Sequence, residues 1–357
     1  MDNLLSSNTQ AKSGTSKKAI AAVSVIGLVG IIAVIAVYSA SSTPNLLLKQ
    51  YELEESEFQD FLNTYGKDYQ GEEYLKRLQI FRDNLSFIRV NNLQNHDWVL
   101  GVNKFADLTF DEFQQLYLMQ TFTHLESKHS KDFQFDVEAT PSKVDWRAKG
   151  AVTPVKDEGA CGGGSYAFAA VGAVESIWNI TGHPLVALSE QEIIDCTGEY
   201  GNHGCNFGNV QGVFEYVTEK GITSEADYPY TAKQGTCNGG DVSKIVAEVD
   251  GYTAVPEKNV TALLAANAQQ PTAVAVQADQ SSWQFYKGGI VTNNCGNKPD
   301  HSVLIVGYNN INKPPYWIVK NSWGQNWGES GYIRIAIKDG EGLCGINLYP
   351  YLPNGEN

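Results

Sequence analysis

The sequence predicts an α+β protein of 357 residues, with a helical lobe and a β-rich lobe that follow a helical segment and one transmembrane helix. Three observations predict this order. The chain opens with a long apolar run, continues with a charged segment of helical periodicity, and ends with short runs rich in Val, Ile and Tyr. The formal net charge of −14 argues against a nucleic-acid partner, which requires a basic face.

The N-terminal segment predicts the topology. Residues 19–40 are assigned to a transmembrane signal anchor, because they are almost entirely apolar and match the ~20 residues that a helix needs to cross a bilayer. Lysines precede the run and glutamates follow it. The positive-inside rule therefore places residues 1–18 in the cytosol and the remainder in the lumen or outside the cell, as a single-pass type II membrane protein. A cleaved signal peptide is the alternative, with small residues at Ser39-Ala40-Ser41.

Residues 50–125 are predicted to form an acidic helical domain. Apolar residues recur there at helical spacing: Tyr74, Leu78, Phe81, Leu85 and Ile88. An amphipathic helix of this kind must bury its apolar face on another part of the protein. Residues 126–139 show no periodicity and are polar, so they predict an exposed linker that proteases can reach.

Residues 140–357 change from helical to strand periodicity. A helical stripe follows Ser165, and a second helix is predicted to begin after a Ser cap at Ser189. Four later runs have the composition of strands: 272–278, 302–308, 316–320 and 332–337. A cleft between a helical and a β-rich lobe is the expected place for a substrate.

The chain has six cysteines: Cys161, Cys196, Cys205, Cys237, Cys295 and Cys344. An even number in one region predicts disulfides in an oxidising compartment, which agrees with a lumenal domain. Their spacing alone leaves the pairing open. We expect no metal and no cofactor, because His203 and Cys205 lack the second compact pair that a zinc site requires.

Four motifs resemble the papain family, and its cathepsin L-like members in particular. Residues 73–92 match the spaced E-R-F-N-I-N pattern of their propeptides at every position, and residues 101–107 match the G-x-N-x-F-x-D element. Residues 158–168, EGACGGGSYAF, are similar to the active-site loop, and residues 321–324, NSWG, match a second active-site motif. The resemblance implies a papain-like two-lobed fold with a helical and a β-barrel-like lobe.

The same resemblance implies a zymogen that hydrolyses peptide bonds. Its partners would be a peptide or protein substrate and its own propeptide, which inhibits by lying across the cleft. The N-terminal helix would add the membrane as a third partner. The implied disulfides are Cys161–Cys205, Cys196–Cys237 and Cys295–Cys344.

The resemblance also assigns catalytic positions. A peptidase of this kind needs a nucleophile at a helix N-terminus, a His, and a group that orients the His. His301 matches the catalytic His, Asn321 the Asn that orients it, and Trp323 the residue that shields the pair. The nucleophile position carries Ser165 where the family has Cys, after a glycine loop one residue longer than usual. The alternative is a Ser165 that only caps the helix.

Two more positions depart from the family. Glu158 replaces the Gln whose amide donates to the oxyanion, and an ionised carboxylate only accepts hydrogen bonds. Phe207 changes the substrate wall, whereas Gly208 still offers its backbone to an extended peptide.

Three functions therefore stay open. The first is a weak, Ser-dependent peptidase, and the second is a non-catalytic homologue that binds peptides or its own propeptide. The third is a condensation catalyst like the silicateins, which the SYAF sequence and residues 200–205, YGNHGC, resemble.

Overall fold

The computed structural model describes residues 43–94, 96–119, 130–132, 134, 138–238 and 244–355. The predicted cytosolic tail, the predicted anchor at 19–40 and most of the predicted linker lie outside these residues. Within the described ranges no helix combines the length and apolarity needed to span a bilayer. The chain divides into two compact units, Met1–Asp60 and Phe61–Asn357.

The prosegment, residues 61–119 of the second unit, is mainly helical. Its elements, with the helix that leads into it, are α1 (Thr43–Tyr65), α2 (Gly71–Asn92), β1 (Trp98–Leu100) and α3 (Phe110–Tyr117). Helix α2 buries four residues of the predicted apolar stripe: Leu78, Phe81, Leu85 and Ile88. A capping box starts α3, since Thr109 and Glu112 each accept a hydrogen bond from the other's backbone N–H.

The helical lobe is built around one buried helix. Its helices are α4 (Ser165–Ile180), α5 (Glu190–Cys196) and α6 (Val210–Lys220). The side chain of Ser189 accepts from Glu192 N and caps α5, and Asn209 caps α6 in the same way through Gly212 N. Residues 165–177 of α4 are all buried, because the helix packs between the other helices and the sheet.

Most strands follow the helical lobe in sequence, and β1, β2 and β3 precede it. Strands other than β1 are β2 (Ser130–Lys131), β3 (Lys143–Asp145), β4 (Ile222–Thr223), β5 (Ile245–Ala247), β6 (Tyr252–Ala254), β7 (Thr272–Val276), β8 (Tyr286–Val291), β9 (His301–Asn309), β10 (Tyr316–Lys320), β11 (Tyr332–Ala336) and β12 (Tyr351–Pro353). Two helices, α7 (Val260–Gln269) and α8 (Ser281–Gln284), lie between them.

Among the described residues, ten strands form one sheet, in the order β1-β8-β11-β10-β9-β7-β12-β6-β2 with β3 on β9, and β4 pairs with β5 separately. The prosegment contributes β1, which pairs antiparallel with β8 and places Trp98 opposite Gly289. The sheet therefore extends from the C-terminal domain into the prosegment.

Disulfides join Cys161 to Cys205, Cys196 to Cys237 and Cys295 to Cys344, the pairs that the resemblance implied. All six cysteines are thereby used, and no described cysteine is free. The first bond holds the turn before α6 against the loop before α4. This bond therefore fixes one wall of the site described next.

Candidate active site

Ser165 is the first residue of α4 and is fully buried. Its Oγ accepts a hydrogen bond of 3.1 Å from the backbone N–H of Ser302. Gly164 occupies the N-cap position, and no side-chain cap hydrogen bond starts the helix. The alternative in which Ser165 serves only as the helix cap is therefore wrong, because its side chain faces the neighbouring strand β9 instead of the helix's own first turn.

The glycine loop before Ser165 is closely packed on both sides. Gly162–Gly164 form a turn of 3-10 helix that leads into α4. A Cβ on Gly162 would lie 2.1 Å from the carbonyl oxygen of Leu116, and one on Gly163 would lie 2.2 Å from the carbonyl oxygen of Asn206. Only glycine fits against these two backbones, which explains Gly162 and Gly163.

His301 begins β9 and pairs with Asn321. Its Nε2 lies 2.7 Å from Asn321 Oδ1, which also accepts from the Ser322 N–H. We therefore assign the ring proton to Nε2, which leaves Nδ1 as the basic nitrogen. Nδ1 is buried and has no hydrogen-bond partner in the part of the chain that the structure describes. Burial lowers the pKa of His301 to about 4, so the ring is neutral above that pH.

Trp323 covers the His301–Asn321 pair. The rings of Trp323 and His301 lie 4.7 Å apart between centroids, and Trp323 is buried. Ser165 reaches this group through Ser302, the residue after His301, and within the described residues no hydrogen bond joins Ser165 Oγ to His301 itself. The site thus brings Ser165 beside the His–Asn pair while leaving the basic nitrogen unused.

Glu158 is fully buried and its carboxylate is held on both oxygens. Oε2 accepts from Ser322 Oγ and Oε1 from the indole N–H of Trp323, each at 2.8 Å. Burial raises the pKa of Glu158 well above its usual value, despite these two donors. The side chain therefore links the loop before α4 to the loop that carries Asn321.

Phe207 and Gly208 lie on the wall formed by the Cys161–Cys205 turn. A Cβ on Gly208 would come within 2.5 Å of the Tyr166 ring, so this position also requires glycine. The Phe207 ring lies 4.3 Å from the ring of His203 between centroids, and its carbonyl accepts from the His203 N–H. Phe207 thus adds an aromatic surface two residues from the disulfide.

The prosegment covers the site through aromatic and backbone contacts. Phe105 and Phe113 pack edge-on against Trp323, with centroids 5.3 and 5.4 Å apart. The backbone N–H of Met119 donates to the carbonyl of Asp300, the residue before His301, at 2.8 Å. Leu116, as shown above, lies against Gly162. These contacts explain why Ser165 and His301 have no exposed surface.

A prosegment ion pair was not singled out from the sequence. Lys104 Nζ lies 2.7 and 2.8 Å from the two carboxylate oxygens of Asp157, next to Glu158. Lys104 occupies a variable position of the G-x-N-x-F-x-D element, so the motif gave no signal for it. The contact joins residues far apart in the sequence.

A buried charged cluster behind the site was also missed. Lys156 Nζ donates to Glu175 Oε1 at 3.0 Å and to both carboxylate oxygens of Glu190, at 2.6 and 2.7 Å. Lys320, on β10, donates to Thr153, which donates to Glu175. The cluster lines a cavity with Ser302, Asn321 and Ser322. The available sequence signal for this cluster was Glu175, a glutamate inside the apolar stripe of α4.

Comparison with known proteins gives two family matches. The model described as "Papain family cysteine protease" matches residues 140–354, and the model described as "Cathepsin propeptide inhibitor domain (I29)" matches residues 58–113. Both matches agree with the motifs described in the sequence.

Relatives and solved structures are similar over most of the chain. Senescence-specific cysteine protease SAG39 of Oryza sativa subsp. japonica is 40% identical over 301 residues, covering 82% of this chain and 88% of that protein. Vignain of Vigna mungo is 43% identical over 300 residues, covering 80% and 82%. The structure of recombinant stem bromelain precursor has a TM-score of 0.78 at 37% identity, covering 85% and 99%. Digestive procathepsin L 3 of Tenebrio molitor larval midgut has a TM-score of 0.78 at 35% identity, covering 85% and 99%.

Proposed function

Because the chain belongs to the papain family of cysteine proteases and carries that family's propeptide, we propose that it is a membrane-anchored, cathepsin L-like zymogen. In this proposal the mature domain hydrolyses peptide bonds slowly, with Ser165 as nucleophile. One observation supports this best. Ser165 begins α4 and its Oγ is hydrogen-bonded to the residue after His301.

A Ser nucleophile requires a neutral base beside it, because a hydroxyl has almost no anionic fraction near neutral pH. His301 meets this requirement, since burial lowers its pKa to about 4 and leaves Nδ1 unprotonated and without a partner in the described ranges. In the proposed reaction Nδ1 takes the hydroxyl proton while Oγ bonds to the peptide carbonyl carbon. The proton then passes to the leaving amine, and water hydrolyses the acyl-enzyme.

The proposed reaction is slow for two reasons. Ser165 Oγ must turn from the Ser302 N–H towards His301 Nδ1 before it can lose its proton. Glu158 stands at the sequence position that the resemblance assigns to the oxyanion donor, and an ionised carboxylate there opposes the negative charge that develops. Since burial raises the pKa of Glu158, the neutral carboxyl, which is able to donate, persists to a higher pH than in an exposed Glu, and we propose that turnover falls as pH rises through that pKa.

Membrane anchoring is part of the proposal and is supported by the sequence of residues 19–40. In this arrangement the prosegment and residues 140–357 face the lumen or the exterior. Cleavage within residues 126–139 releases the mature domain from both its inhibitor and its anchor.

The deciding experiment measures cleavage of a fluorogenic peptide library by residues 46–357, matured with an added protease, from acid to neutral pH. S165A is the control. Turnover that disappears in S165A supports the proposal, and turnover that persists in S165A contradicts the role of Ser165. S165C then shows whether the rest of the site supports ordinary thiol chemistry.

A second candidate is a non-catalytic protein that binds peptides in the same cleft. The observation that favours it is the hydrogen bond of Ser165 Oγ to Ser302 N–H, which leaves Ser165 without a direct bond to His301. Peptide binding without turnover, measured by calorimetry on the mature domain, would identify it. A silicatein-like reaction would use the same Ser165 and His301, and condensation of a soluble alkoxysilane by the mature domain tests it.

A further inference from the structure

Three Asn-x-Ser/Thr sequons are unused by the function proposed above. They begin at Asn84, Asn179 and Asn259. Such a sequon is an acceptor for N-linked glycan on a chain that enters the secretory route. The inference drawn from them rests on the proposed lumenal placement of the domain and not on the peptidase activity. The surroundings of the three amides differ sharply.

The Asn84 amide is fully engaged inside the prosegment. Its Nδ2 donates to the carbonyl of Ala106 at 2.8 Å and to the carbonyl of Leu108 at 2.9 Å. An amide nitrogen has two hydrogens, and both are used here. A sugar on Nδ2 replaces one of them and inserts a bulky group between α2 and the chain leading to α3. A glycan on Asn84 is therefore incompatible with this packing.

The Asn179 amide is engaged in the turn that ends α4. Its Nδ2 donates to the carbonyl of His183 at 3.0 Å, and the His183 ring stacks on Trp178 with centroids 3.6 Å apart. Thr181, the third residue of this sequon, donates its hydroxyl proton within the same turn, to the carbonyls of Ile177 or Trp178. Asn179 is only partly exposed. A glycan there disturbs a turn that is closed by several contacts.

The Asn259 side chain differs from the other two, because its oxygen and not its nitrogen makes the hydrogen bond. Asn259 and Thr261 are exposed at the start of α7. Asn259 Oδ1 accepts from the Ala262 N–H at 3.0 Å and caps the helix, and its Nδ2 makes no hydrogen bond within the described residues. Glycosylation changes only Nδ2, so the cap on Oδ1 survives. Of the three sequons, this is the one whose amide nitrogen makes no native hydrogen bond within the described residues.

We propose that Asn259 is the N-glycosylation site of this protein and that Asn84 and Asn179 stay unmodified. In the transfer, Nδ2 bonds to the anomeric carbon of a polyprenyl-diphosphate-linked oligosaccharide. The bond from that carbon to the diphosphate oxygen breaks, the polyprenyl diphosphate leaves, and one amide proton is released. Molecules modified at Asn84 lose one of the two hydrogen bonds from its amide to Ala106 and Leu108, have a sugar between these packed segments and fail to fold, so the folded protein carries its glycan at Asn259.

In the test, the full-length chain is expressed in a eukaryotic secretory cell. The folded protein is treated with peptide N-glycosidase in ¹⁸O-labelled water, which converts a glycosylated Asn to labelled Asp, and the peptides are mapped by mass spectrometry. We expect the label at Asn259 and at neither of the other two sequons. T261A removes the sequon while keeping the Asn259 cap, so it should lose the glycan and retain the thermal stability of the unchanged chain made in cells whose glycan transfer is blocked. N259Q should lose the glycan and also lower that stability.

A control separates this inference from the topology on which it rests. N312T creates a new sequon at Asn310, on an exposed turn after β9. Label at both Asn310 and Asn259 in this variant supports the proposal. Label at Asn310 without label at Asn259, or label at Asn84 or Asn179 in the folded protein, overturns it while leaving the lumenal placement intact. Absence of label at every position overturns the lumenal placement and this inference together, and leaves the peptidase proposal to its own turnover test.

Discussion

Glu158 places an acid in the loop before α4. Its carboxyl is buried against Ser322 and Trp323, and burial raises its pKa well above the usual range. At acid pH the group is neutral and offers a proton, and as pH rises through its pKa it becomes an anion beside the developing oxyanion.

We predict that E158Q extends turnover to pH values above the pKa of Glu158. The amide of Gln donates at every pH, and one such donor is worth ~10² to 10³ in rate. The expected gain is therefore about 10²-fold at pH values above the pKa of Glu158, with little change below it. The measurement is the pH profile of kcat/KM for the matured domain, with S165A/E158Q as the matched control. Parallel profiles for E158Q and the unchanged protein would contradict the role given to Glu158.

The element that closes the site is α3 with the chain on either side of it. Phe113 is completely buried against Trp323, whereas the Lys104–Asp157 ion pair is partly exposed, at 17% and 45% for the two side chains. A buried Phe→Ala change removes ~3 to 5 kcal/mol, and an exposed ion pair contributes ~0.2 to 1 kcal/mol. Inhibition by the prosegment should therefore depend on the aromatic contact far more than on the charges.

This difference gives a paired prediction. F113A should weaken binding of the prosegment to the mature domain by at least ~100-fold, and K104M by less than ~10-fold. The measurement is the dissociation constant of the two parts after the linker is cut, at neutral pH and moderate salt. A larger effect for K104M than for F113A would show that electrostatics, rather than apolar burial, holds the prosegment in place.

Helices and strands with a clear periodicity or capping pattern could be predicted from the sequence. The stripe that includes Phe81 predicts α2, and Ser189 predicts the start of α5, because periodicity and capping are local properties. Strand β1 has only three residues and depends on pairing with β8, so no local sequence pattern predicts it. The alternative of Ser165 as a helix cap fails for the same reason, since the Ser165 hydroxyl accepts from the N–H of Ser302 on a distant strand.

At the scale of the whole molecule, Lys156 joins the two lobes through a buried network. It contacts Glu175 on α4 and Glu190 on α5, and Glu175 is linked through Thr153 to Lys320 on β10. Burial opposes the charge on Lys156, but the two carboxylates raise its pKa overall. Removing one member of such a network leaves an unpaired charge in the interior.

We therefore predict that K156M lowers the free energy of unfolding by about 3 to 5 kcal/mol. The reason is that Glu175 and Glu190 then face each other in the interior without a cation between them. The measurement is urea unfolding of the intact zymogen at pH 7. K156M/E190Q, which removes one of the two carboxylates, should recover part of the loss. A double variant that is less stable than K156M would contradict this account.

At the scale of the whole zymogen, the prosegment should also bind less tightly as pH falls, because His301 becomes protonated. Burial under Trp323 and the prosegment lowers the pKa of His301 from 6.5 to about 4, so the covered state disfavours the imidazolium. A lowered folded-state pKa means that the stabilisation is complete above pH 6.5 and is lost as pH falls towards 4. The full loss is about 3 kcal/mol, since each pKa unit corresponds to ~1.4 kcal/mol.

We predict that the dissociation constant of the cut prosegment rises by up to ~100-fold between pH 7 and pH 4, and that H301N removes most of this rise because its amide does not titrate there. S165A, which leaves His301 in place, should keep the full pH dependence and is the matched control. If H301N kept the same slope as S165A, the acid response would belong to carboxylates of the prosegment interface instead. Loss of the slope in H301N alone would mean that the residue proposed as the base also senses the pH at which its own inhibitor leaves.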